Sequence, residues 1–442
     1  MKKRFVFLII VLSFLVKLIW MLKVPLTPLY DFETFYRVAV NLFNGEGFTL
    51  DGYPWAFQSY GYPMLLSLFF KLVGNCELIT AKVFNLILST LTLPIVYSIM
   101  KKYINRKGVL ALCFSVFAFL PNCIIYINVV GSEVVSMFLF ALIIWMNIYH
   151  DKFKYKFAMF TLQGLLIGLL SLVKPFFMAF PIALLFIWIV KRIDKKQLLR
   201  MAGGVFLGFL LVLTCSTIKN YRAFSQFMPI SYNGGYVLYI NNNSVNEKGG
   251  WMDAAMVPAS DELKEELLEV GYVYDVPHAI EKAEMLRNAD VSPILSKYAT
   301  RWILQNPIEF ISLGLLRIMN VFFSGANDVS LWGFDTETLV NMSVQTKRVY
   351  KVFMGFANAI IFFIACSYIV LLFANIKKIF SKKTELNDLL LYWGVAFFFA
   401  VFFVFEGQAR YNFPTLFLLI ICAGKVLERL LDVNDRGKKY KS

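Results

Sequence analysis

The stretch Met1–Glu33, MKKRFVFLIIVLSFLVKLIWMLKVPLTPLYDFE, decides how this chain is built. Lys2, Lys3 and Arg4 precede an apolar run from Phe5 to Met21, interrupted by Ser13 and Lys17. That run is about as long as the ~17–20 residues a bilayer-crossing helix needs. The opening resembles the charged and apolar regions of a secretory signal. No small-x-small cleavage pattern follows, because Lys23-Val24-Pro25-Leu26 comes next, so the segment reads as a retained first span. Asp31 and Glu33 then emerge at headgroup depth on the far side of the membrane.

The rest of the chain agrees with that start. Of its 442 residues, 59% are hydrophobic and 17% charged, and 45 are Phe. A soluble protein carries about 25% charged and 45–50% apolar residues. A soluble enzyme, a disordered scaffold and a coiled coil are excluded. The net charge of +15 sits in short basic clusters between apolar runs, the pattern of cytoplasmic loops under the positive-inside rule. It forms no basic stripe with aromatic platforms, so nucleic acid is not an expected partner. The 6 Cys lie mostly inside apolar runs, and His150 and His278 stand far apart. A disulfide framework and a metal site built on Cys or His are not expected.

Apolar windows predict ten spans: 5–23, 79–99, 108–126, 134–150, 157–173, 175–190, 201–219, 352–376, 388–405 and 412–430. Basic clusters at 2–4, 101–107, 152–156, 191–200, 377–383 and 436–441 alternate with them, which puts both termini in the cytoplasm. The outer face receives a loop at 24–78 with juxtamembrane helices, short turns near Asn128–Glu133 and Lys174, a large segment at 220–351, and a turn at Glu406–Arg410. Spans 2–7 occupy 79–219, spans 8–10 occupy 352–430, and a basic tail covers 431–442. Within the large segment, 261–268 and about 279–297 read as helices. Trp302–Phe323 reads as an amphipathic helix in the interface, because a span there would put Lys377–Lys383 outside. The expected fold is therefore an all-α polytopic membrane protein with a small outer α-rich domain.

The residues able to carry chemistry lie on the outer face. Asp31, flanked by Tyr30 and Phe32, can act as a general base if apolar neighbours desolvate it; the pattern alone reads first as the N-cap of a helix running on through Ala39, with Glu33 as a first-turn acid, and the two roles are compatible. Glu133 reaches the same surface after Gly131-Ser132, or lies in a solvated turn whose Ser132 caps the next span. Lys174, Lys219, Arg222 and Arg410 stand at outer span ends, where cations are scarce. Any one could snorkel to headgroups, but four facing two carboxylates fit phosphate binding, with Arg able to grip bidentately. Lys17, near the outer end of span one, is expected to snorkel.

Taken in order, Asp31-Phe32-Glu33-Thr34-Phe35-Tyr36, Asn44-Gly45-Glu46-Gly47-Phe48 and Gly61-Tyr62-Pro63 resemble the first outer loop of C-superfamily polytopic glycosyltransferases. The likeness is to the family 39-like branch, with protein O-mannosyltransferases and the lipid A aminoarabinose transferase. Ser132-Glu133, Val173-Lys174-Pro175, Lys219-Asn220-Tyr221-Arg222, Gln305-Asn306-Pro307 and Ala409-Arg410-Tyr411-Asn412 resemble later family segments in the same order. Lys174 and Lys219 depart from the family in standing where Arg is commoner. The resemblance implies inverting transfer of a sugar from a polyprenyl-phosphate donor to an acceptor hydroxyl on a lipid, a cell-envelope glycan or a protein. Asp31 is then the base, Glu33 and Glu133 supporting acids, and the four cations donor-phosphate ligands. No cofactor is implied, although carboxylates with water can hold a divalent metal. A flippase or transporter of lipid-linked saccharides, and a polysaccharide polymerase or ligase, are the alternative readings.

Overall fold

The computed structural model of the chain describes residues 3–274, 288–334 and 343–439. Apolar runs become helices throughout: α1 Lys3–Lys23, α2 Asp31–Asn44, α3 Gly61–Val73, α4 Leu78–Tyr103, α5 Lys107–Phe119, α6 Pro121–Ile125, α7 Ser132–Ile148, α8 Lys156–Val173, α9 Phe180–Lys191 and α10 Lys195–Phe224. After these come α11 Gly234–Asn241, α12 Asp261–Glu269, α13 Val291–Gln305, α14 Pro307–Ile318, α15 Asn327–Trp332, α16 Val344–Ala374, α17 Leu386–Val404 and α18 Leu416–Lys439. A two-stranded antiparallel ribbon, Thr49–Leu50 with Tyr53–Pro54, interrupts the first loop.

Six described helices (α1, α4, α8, α10, α16 and α17) are long and apolar enough to cross a membrane, or seven spans if the bent pair α13/α14 is counted as one. The other expected spans fall on shorter or charged helices. Pro121 opens a new helix and splits 108–126 into α5 and α6. The stretch 175–190 opens with a 3-10 segment, Pro175–Ala179. The stretch 412–430 starts in the 3-10 segment Ala409–Thr415, and α18 then carries the chain into the expected tail without a break. The part of the expected helix 279–297 that precedes Asn288 lies outside the described residues.

Close packing of α8 on α10 depends on glycine. A Cβ at Gly164 would lie 2.1 Å from the Val205 carbonyl oxygen, and one at Gly208 would lie 2.0 Å from that of Thr161. Small residues of this kind let helix backbones approach where apolar burial alone gives no driving force.

The basic loops gather at one end of the bundle. There the Lys191 ammonium donates to the Thr384 carbonyl at 2.8 Å, Tyr103 to that of Asn387 at 2.8 Å, and Lys425 pairs with Asp388 at 2.6 Å. Asp31, Glu133, Lys174 and Arg410 gather at the other end. Beside them a smaller core of Tyr236, Tyr239, Leu263, Leu267, Tyr274 and Leu295 joins α11, α12 and α13.

Two expectations change. The segment 302–323 is not one helix: Pro307 starts α14, which leaves α13 at 107°. α14 keeps the expected amphipathic pattern, with Ile308, Ile311 and Leu315 exposed and Leu313, Gly314 and Arg317 buried against α17. Lys17 does not snorkel. It lies on the stripe Ile9, Ser13, Lys17, Met21 that faces the bundle, is 1% exposed, and donates to Ser89 Oγ at 2.8 Å.

Candidate active site

The site forms where chain breaks bring polar side chains to the end of the bundle. At Tyr30 the backbone takes φ +54° and ψ −122°, a strained conformation for a residue with a Cβ. α2 begins immediately after it, so Asp31 occupies the first helical position and caps nothing: Tyr30 is the N-cap, with no side-chain bond. Gly131 is likewise the N-cap of α7 in place of Ser132. A Cβ at Gly131 would sit 2.6 Å from Glu133 Oε2 and 2.7 Å from the Phe32 ring, so glycine admits both side chains. Pro175 stops α8 and leaves Lys174 in extended backbone at its end.

These breaks surround a cavity of about 560 Å³. Asp31, Gln58, Glu133, Lys174, Glu406, Arg410 and Tyr411 supply its reactive polar groups. Arg410 Nη2 lies 3.1 Å from Asp31 Oδ2, and Gln58 Nε2 donates to Asp31 Oδ1 at 2.5 Å. Lys174 Nζ pairs with Glu133 Oε1 at 3.2 Å. Lys174, Glu133 and Arg410 are buried, so neither a solvated turn nor snorkelling describes them. Asp31 itself is half-exposed, at 44% of its side chain. The Arg410 guanidinium lies over the rings of Phe32 and Trp332, each at 5.1 Å, and of Tyr411 at 5.5 Å.

Burial holds the Lys174 ammonium below its ordinary pKa, with Glu133 opposing that shift. Glu406 is raised by burial, while Arg410 and the hydrogen bonds from Tyr411 and Gln408 oppose the rise. One wall, formed by Phe176, Met178, Val401, Phe402 and Phe405, is apolar. α17 supplies it together with the turn after α8.

Three sequence candidates lie outside the cavity lining. Glu33 and Arg222 are exposed. Lys219 lies over two rings that pack on each other, its ammonium 3.4 Å from the Tyr60 centroid and 4.1 Å from that of Phe48. Three contributors were not singled out from the sequence. Gln58 reaches Asp31. Glu406 accepts from Tyr411 Oη at 2.8 Å. Buried Asp328 on α15 accepts from Tyr126 Oη at 2.6 Å and so anchors the helix that carries Trp332. A carboxylate in a short turn between long apolar runs was a usable signal for Glu406; Gln58 and Asp328 had none. Among the described residues, no group of three or more His, Cys, Asp and Glu is placed to hold a metal ion.

No protein-family model matches this sequence, and no curated protein matches it. Solved structures do match, and they include the oligosaccharyltransferase of Archaeoglobus fulgidus. The apo form superposes with a TM-score of 0.55 at 11% identity, covering 100% of this chain and 52% of that one. The form tethered to an acceptor peptide gives 0.53 at 14%, covering 98% and 50%. The complex with an inhibitory peptide and a dolichol-phosphate gives 0.53 at 13%, covering 100% and 52%. The chain has the fold of this membrane enzyme. It spans about half the length of the oligosaccharyltransferase chains it matches. The fold is the glycosyltransferase-C-like one implied by the sequence resemblance.

Proposed function

We propose that this protein is a membrane glycosyltransferase of the 39-like branch. On this reading it moves a sugar from a polyprenyl-phosphate donor to an acceptor hydroxyl at the outer face of the cytoplasmic membrane, with inversion. One observation carries the reading: Asp31, Arg410 and Lys174 share a single cavity with an apolar wall. A fold neighbour bound to a dolichol-phosphate supports a lipid-linked donor.

The lipid tail lies along Phe176, Met178, Val401 and Phe405, and the phosphate meets Lys174 and Arg410. Arg410 exchanges its bond to Asp31 for one to a phosphate oxygen, which frees the carboxylate to act as base. Asp31 takes the acceptor proton as the acceptor oxygen attacks the anomeric carbon. The bond from that carbon to the phosphate oxygen breaks, and its electron pair leaves on the phosphate, whose charge the buried cations offset. Glu133 holds Lys174 in place. Glu33 and Arg222, exposed and outside the lining, take no part, and Lys219 keeps to the Tyr60 and Phe48 rings.

Transport of a lipid-linked saccharide is the second reading, favoured by Lys17, a cation buried in a span. Purified protein in vesicles, given a panel of radiolabelled polyprenyl-phosphate sugars and membrane extract, separates the two. Transfer moves label from the lipid to a new acceptor, whereas transport moves labelled lipid across the bilayer with its sugar bond intact.

A further inference from the structure

Among the cavity-lining residues, Asp31, Glu133 and Glu406 face only two cations, Lys174 and Arg410. Two of the carboxylates are ion-paired, Glu133 to Lys174 at 3.2 Å and Asp31 to Arg410 at 3.1 Å. Glu406 has no cation at ion-pair distance among the described residues. It is 7% exposed, and its hydrogen-bond donors, Tyr411 Oη and Gln408 Nε2, are neutral. With every group ionised, the cavity carries one excess negative charge before any phosphate enters. A phosphodiester adds another in a setting with little water to screen it.

We propose that Glu406 is the acid of the donor-phosphate subsite: it takes up one proton as the phosphodiester binds, and its carboxyl O–H donates to a phosphate oxygen. This deepens the polyprenyl-phosphate reading and rests on it. Proton uptake brings the cavity's side chains to neutrality, so the phosphate's own charge is the one left, and it turns an acceptor that would repel phosphate into a donor that holds it. The groups around Glu406 are Asp31 from α2, Glu133 from α7, Lys174 from the end of α8, Tyr236 from α11, and Arg410 and Tyr411 from the 3-10 segment. Burial and the charge of Asp31 favour the protonated form, while Arg410, Tyr411 and Gln408 oppose it.

The test measures binding of farnesyl methyl phosphate, whose single charge is constant from about pH 5 to 9, to the purified full chain. Wild-type affinity is expected to be flat at low pH and to fall about tenfold per pH unit once Glu406 ionises. Glu406→Gln should abolish that slope and bind at least ~10-fold more tightly than wild type at pH 8.5. Tyr411→Phe removes a bond that favours the ionised form, so it should keep the slope and move its midpoint upward; this variant serves if Glu406→Gln does not fold. Wild-type binding without pH dependence, or a Glu406→Gln slope equal to wild type, overturns the proposal and leaves the phosphate reading standing. No binding to wild type at any pH overturns both.

Discussion

Arg410 Nη2 lies 3.1 Å from Asp31 Oδ2, joining residues 379 positions apart at the mouth of one cavity. A carboxylate held by a guanidinium is a poor base, so under the proposed mechanism an anionic donor that draws Arg410 away switches Asp31 on as it binds. Arg410→Ala should weaken binding of a polyprenyl phosphate and lower transfer by about 10²–10³-fold, the size of losing one donor to a developing anion. Arg410→Lys keeps the charge but not the fork, and should recover only part of each loss. Direct binding measured beside turnover checks this; Arg410→Ala with unchanged affinity would remove Arg410 from the phosphate site.

The Glu133–Lys174 pair is almost wholly buried, at 2% and 8% side-chain exposure. Glu133→Gln leaves an ammonium buried without its counter-ion and should cost ~3–5 kcal/mol of stability. Glu133→Leu with Lys174→Met should regain most of that stability while phosphate binding stays lost. Thermal unfolding in detergent, read alongside lipid binding, separates the two effects.

Glu33→Gln and Arg222→Gln should leave transfer within about twofold of wild type, in the usual range of exposed substitutions. Initial rates at saturating donor decide the point. A large loss in either variant would return that residue to the site.

How much of this was legible depends on what makes a signal. Charges at the ends of long apolar runs are few, so Asp31, Glu133, Lys174 and Arg410 stood out, and their shared sidedness followed from the basic loops. Glu33 lies off the cavity lining for a reason of helical phase. At about 100° per residue, positions 31 and 33 point roughly 200° apart, so Asp31 faces the cavity and Glu33 the solvent. Lys219 carries the right charge at the right depth, but it lies over the Tyr60 and Phe48 rings, and rings that arrive from 159 and 171 residues away in sequence leave no local trace. The ten-span expectation counted apolar residues without weighing Pro121 and Pro175, each of which opens a new segment.

Asp328 provides a test of the support behind Arg410, whose guanidinium lies over Trp332 of the same helix. Burial pushes its carboxyl up to about 6, with the Tyr126 bond opposing. The folded state thus holds the proton more tightly than the unfolded state, where a carboxyl titrates near 4. The stability this gives is present below about pH 4 and is lost as pH rises through about 6, by roughly 3 kcal/mol. Asp328→Asn should flatten the stability profile between about pH 4 and 6 without loosening the fold at pH 7. A profile with the wild-type slope would show that another group titrates there.

The most direct measurement is sugar transfer by Asp31→Asn, an isosteric change that removes the base and keeps the shape. Given the radiolabelled donor that wild type uses, the variant should insert in the membrane, bind polyprenyl phosphate, and transfer at least ~10²-fold more slowly. Turnover within a few-fold of wild type would contradict the account, because no catalytic base would then reside at Asp31.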